Sequence, residues 1–108
     1  MSDPSGVPDP TTEAVFNSIS AQAQETNRIR VTALDQLIQE LPEDGSAADG
    51  RRRAKDLAHQ IAGSAGTFGN ARASELAREM EQLLTGEIDA TAASELRTRV
   101  AALLEALG

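Results

Sequence analysis

The sequence predicts an all-α domain, an antiparallel up-down-up-down four-helix bundle, on three observations. Alanine, leucine, glutamate, arginine and glutamine, all good helix formers, are abundant in the 108 residues. No stretch alternates apolar and polar residues as a half-buried strand would. Successive segments each carry one apolar stripe at helical spacing, and short connections join them; a stripe about 100° wide is enough to meet two neighbours. With two Phe and neither Trp nor Tyr, the core must be aliphatic. The length suits one compact domain and is too short for two ordinary ones.

After Met1, residues 2–10 are Pro, Gly, Ser and Asp with only Val7 able to pack, so a disordered tail is expected over residues 1–10 and the domain itself over residues 11–108. Asp9 before Pro10 is a plausible helix start, because proline is tolerated at the first helical position and Glu13 favours the first turn. From Glu13 to Leu41 a single phase holds Phe16, Ile19, Ala23, Val31, Leu34, Leu37, Ile38 and Leu41 within about 60° of one direction. Asn27 and Arg30 interrupt it. Residues 11–41 therefore form either one long helix with a polar patch at its middle or an extra short N-terminal helix that bends into a second. Leu41-Pro42 closes this segment, since the residue before proline is pushed out of the helical region.

Pro42 to Asp49 reads as a loop, with Ser46 or Asp49 available to cap the next helix. That helix should run from about residue 47 to Phe68 and stop at Gly69. Asn70 can cap a third helix reaching Leu84, with a stripe of Ala73, Leu76, Ala77, Met80, Leu83 and Leu84, and Gly86 ends it. Asp89 or Thr91 starts a fourth, whose inner face is Ala93, Leu96, Val100, Leu103, Leu104 and Leu107.

Charge narrows the function classes. The net charge is −7, and residues 1–50 hold the whole surplus: nine acids stand there against Arg28 and Arg30, while eight acids and eight bases balance in residues 51–108. Such a chain is a poor candidate for the phosphate backbone of nucleic acid. Without cysteine there is no thiolate chemistry, and one histidine rules out a His-rich metal site. Glu43, Asp44 and Asp49 lack the spacing of a calcium loop and read as solvated linker charges. Neither a membrane span nor a leader peptide is recognisable, so a soluble, cytoplasmic protein is expected.

The residues most in need of explanation surround that histidine, from Leu57 to Gly69. With His59 set at zero and about 100° per residue, Ala54, Leu57, Ile61, Ala65 and Phe68 fall near the opposite pole. His59 thus points away from the core stripe. Arg52, Lys55, Gly63 and Gly66 share its side, with Ala62 at the margin. Glycine inside a helix costs about 1 kcal/mol relative to alanine, so Gly63 and Gly66 call for a compensating role, and open access to the imidazole is the simplest. An imidazole, whose ordinary pKa is about 6.5, is partly neutral at cellular pH and can attack phosphorus.

His59, Gly63, Ser64 and Gly69, with apolar Leu57 and Ile61 around them, resemble the signature of histidine-containing phosphotransfer (HPt) domains. The likeness is tight over Leu57 to Gly69 and extends to Leu84 through a pattern of leucines and the Met80-Glu81 pair. The resemblance implies a phosphorelay carrier: His59 takes a phosphoryl group from the aspartate of a receiver domain or from a hybrid kinase and passes it to a response-regulator aspartate. It implies no cofactor on this chain, with magnesium supplied by the receiver, and no kinase activity. Consistent with that, no Gly-rich phosphate loop joined to a strand is present. The chain departs from the family pattern at Ala62, where a Lys or Arg is usual. Lys55 and Arg52 are the candidates to supply the missing charge, against solvated surface charges as the competing account. Gln60 has at most a minor orienting part, Ala62, Gly63 and Gly66 form the expected docking surface, and Ser64 should bond its own helix backbone.

Two readings from other classes remain open. One is a non-phosphorylated adaptor that docks a protein through the same face. The other is a symmetric oligomer paired through the long N-terminal helix, where Ile29 lies off the core stripe; a monomer is the expectation. Met1 and a full set of helices favour a free-standing protein over a piece of a hybrid kinase.

Overall fold

The computed structural model describes residues 10–41 and 48–107. Their regular structure is four helices, α1 (Pro10–Glu40), α2 (Ala48–Thr67), α3 (Ala71–Thr85) and α4 (Ala90–Ala106). Each helix packs on the next and α4 closes back on α1, while the backbones of the diagonal pairs stay apart. The result is a four-cornered bundle. Ser74 of α3 meets Ala62 of α2 and Glu81 of α3 meets His59 of α2, so α2 and α3 run antiparallel; Asn27 of α1 meets Ser64 of α2, and Arg99 of α4 meets Glu79 of α3.

Residues 11–40 form one helix, not two, and Leu41 follows its end. No glycine or proline interrupts it after Pro10, and its polar middle is accommodated by a buried hydrogen-bond chain. Asn27 is only 2% exposed; its Nδ2 donates to Ser64 Oγ at 3.2 Å, and its Oδ1 accepts from Arg30 Nη1 at 3.0 Å. The bond brings Ser64 across to α1, where sequence reading had assigned it to its own helix backbone. Arg30 and Asn27 are thus one structural unit, because a buried amide must find partners for both its donor and its acceptor.

At about 1.5 Å per residue, the 31 residues of α1 outreach the 15 to 20 of its neighbours. Its C-terminal half carries Val31, Leu34, Ile38 and Leu41 into the core. Its N-terminal half overhangs, and Phe16 and Ile19, expected inside, are 56% and 47% exposed, with Val15 beside them. The phase was right, but the shorter neighbouring helices do not cover that height; Phe16 meets the ring of Phe68, 6.2 Å away. Leu104 is likewise exposed, contrary to expectation, and Leu83 is only partly buried. Ile88, in the α3–α4 connection, is buried instead. Ile29 is exposed, as its position off the stripe implies.

The ends follow local chemistry. Gly69 has φ +82°, and its N–H bonds to Gly66 while that of Asn70 reaches back to Ala65, the paired bonds that close a helix through a left-handed residue. The Asn70 side chain then caps α3 at Ala73 N and donates to the Ala106 carbonyl of α4. Asp89, rather than Thr91, caps α4 at Ala92 N. Gln24 and Arg28 of α1 donate to the Leu107 carbonyl beyond the end of α4. Asp49 lies within the first turn of α2. The expected tail up to Asp9 and the loop residues 42–47, including Ser46, Glu43 and Asp44, lie outside the described residues. No helix among the described residues is long and apolar enough to cross a membrane.

Candidate functional site

The α2–α3 hairpin builds the site. Ala54, Ala58, Ile61, Ala62 and Ala65 form the buried face of α2, and small residues on both helices, Ala73 and Ala77 among them, allow a close approach. At Gly66 the approach is tight: an added Cβ would stand 3.2 Å from Ser74 Oγ. Ser74 is buried and donates to the Ala62 carbonyl at 2.8 Å, a cross-helix bond that fixes the register. Gly66 therefore has a packing reason to be glycine, besides the access read from sequence. Gly63 differs: nothing lies within 4 Å of where its Cβ would be.

That register places Glu81 beside His59. The Oε2 atom of Glu81 lies 3.0 Å from His59 Nδ1, with the histidine side chain 75% exposed and the glutamate 27%. A carboxylate can only accept, so Nδ1 carries the proton, and in the neutral ring Nε2 keeps its lone pair. Glu81 thereby orients the ring as well as selecting the tautomer. The sequence held a sign of it in the Met80-Glu81 pair, since antiparallel helices joined at Gly69 bring positions at similar distances from the turn together. That contact needed the register, which sequence alone did not supply.

An open cleft of about 330 Å³ surrounds the ring, lined by His59, Ala62, Gly63, Arg78, Glu81 and Gln82. Of the expected docking residues, Gly63 and Gly66 are exposed, whereas Ala62 is only 4% exposed and reaches the surface merely as part of this cleft. Lys55 and Arg52 line a neighbouring groove with Arg51, Leu84 and Thr85, nearer the α2 N-terminus. Gln60 is exposed but is not among the residues lining the histidine cleft. Gly69 serves the turn and Ser64 the α1–α2 interface. Among the described residues no group of His, Asp and Glu is arranged to hold a metal ion.

The site is thus an exposed, oriented imidazole on a helical hairpin within a four-helix bundle. The family model of the Hpt domain matches residues 19–108, and the chain belongs to that family. Its general role is accordingly in phosphorelay signalling, as a phosphotransfer intermediate and not an enzyme in its own right, with receiver domains and hybrid kinases as the class of partner. No curated protein and no solved structure matches the chain.

Proposed function

We propose that His59 is the phosphoacceptor, taking a phosphoryl group from the aspartyl phosphate of a receiver domain or hybrid kinase and passing it to a response-regulator aspartate. The observation that carries this reading is the Glu81–His59 contact, which occupies Nδ1 and leaves Nε2 as the nucleophilic atom of an exposed ring.

In the forward step the Nε2 lone pair forms a bond to phosphorus, and the phosphorus–oxygen bond to the donor aspartate breaks, its electron pair leaving with the carboxylate. Nδ1 keeps its proton throughout. The ring gains positive character as the bond forms, and the Glu81 carboxylate is already placed to stabilise it without rearrangement. Transfer onward is the same step reversed on a second aspartate. Gly63 leaves the approach free of a side chain, and Lys55 and Arg52 add positive potential on the adjoining groove for an acidic partner surface.

The test is incubation with a phosphorylated receiver domain, comparing the native chain with His59→Gln. Label that survives base, is lost in acid and is absent from the variant supports the proposal. Equal labelling of both chains refutes it.

A further inference from the structure

We propose that Arg78, on α3, is the cation that receives the phosphoryl oxygens when His59 is phosphorylated; the inference rests on His59 being the acceptor and adds the group that neutralises its product. Three observations converge on it. Arg78 lines the cleft of His59, whereas Lys55 and Arg52 line the separate groove. The register set by Ser74–Ala62 at one end and Glu81–His59 at the other places Arg78 between those two levels, one turn from Glu81, and it shares the cleft with Ala62 and Gly63. Its side chain is exposed, and among the described residues its guanidinium makes no hydrogen bond or ion pair.

The electrostatics of the cleft require such a group. A phosphoryl group on Nε2 brings negative charge into a space where Glu81 is already anionic. A planar guanidinium with several N–H donors fits phosphoryl oxygens better than a point charge does. Arginine on α3 thereby does from across the hairpin what Ala62, buried and apolar, does not do from α2.

The probe that isolates this role is phosphoramidate, a small donor that needs no protein docking. Labelling of His59 is followed for the native chain, Arg78→Gln and Arg78→Lys, with helicity checked by circular dichroism. Arg78→Gln is expected to label about tenfold more slowly, the scale of one charge-assisted hydrogen bond lost in the transition state. Arg78→Lys should recover most of the rate, and added salt should slow the native chain more than Arg78→Gln. Labelling of Arg78→Gln at the native rate, with the native chain clearly labelled, overturns the inference alone. Absence of label on native His59 from both phosphoramidate and a phosphorylated receiver overturns the carrier reading and this inference with it.

Discussion

Glu81 on α3 reaches Nδ1 of His59 on α2 at 3.0 Å, so the neighbouring helix of the hairpin decides which edge of the imidazole faces outward. The pair is too exposed to contribute much to folding. Glu81→Ala should therefore leave the unfolding midpoint nearly unchanged while slowing phosphoryl transfer by about tenfold, the equivalent of one lost orienting interaction. Nitrogen NMR of the neutral ring checks the cause: the native chain is expected to carry its proton on Nδ1, and Glu81→Ala to shift the population toward Nε2–H. An unchanged tautomer in the variant would separate Glu81 from that role.

The two glycines on the histidine's side predict opposite outcomes. Gly63→Ala meets open space, so it should stabilise the chain by about 0.5–1 kcal/mol through helix propensity and a less flexible unfolded state. It should also slow transfer from a receiver domain while leaving labelling by phosphoramidate unchanged. At Gly66→Ala the same gain is opposed by the 3.2 Å approach to Ser74 Oγ, which its bond to Ala62 holds in place. Urea unfolding should rank Gly66→Ala below Gly63→Ala, and Ser74→Ala should narrow the difference.

The buried Asn27–Ser64 bond predicts coupling between α1 and α2. Ser64→Ala leaves the Asn27 amide nitrogen without this partner, at a cost of about 1–3 kcal/mol. In the Asn27→Leu background the same change should cost much less, so a double-mutant cycle in denaturant should show a clear interaction energy. Additive effects would mean that the two side chains are satisfied independently.

Capping predicts a ranking. Asn70 and Asp89 each cap one helix, but Asn70 also donates to the Ala106 carbonyl. Asp89→Ala should cost about 1 kcal/mol and Asn70→Ala more, because it also detaches the start of α3 from the end of α4. Thermal unfolding of the two variants side by side decides it.

These relationships divide by how far apart their residues lie in the chain. Gly69, Asn70, Asp89 and the stripes of α2 and α3 were legible because each follows from residues within a turn or two of itself. The stripe of α1 was legible in phase but not in depth: Phe16 and Ile19 share the angles of Leu34 and Leu37, yet only the heights of the other helices decide that they are exposed. Asn27 read as an interruption because its partner is on another helix. At the site, the outward direction of His59 came from helical geometry alone, whereas Glu81 and Arg78 enter only through the α2–α3 register. Ala62, at the margin of the exposed side by angle, is covered because α3 packs close there.

The central claim is that Glu81 occupies Nδ1 so that Nε2 of His59 carries the phosphoryl group. Its most direct test is phosphorus–nitrogen NMR on the nitrogen-15-labelled chain after transfer from a phosphorylated receiver, reading which ring nitrogen couples to phosphorus. Coupling to Nε2 is expected, with Nδ1 still protonated. Phosphorus on Nδ1, or a base-stable label that maps to a residue other than His59, would contradict it.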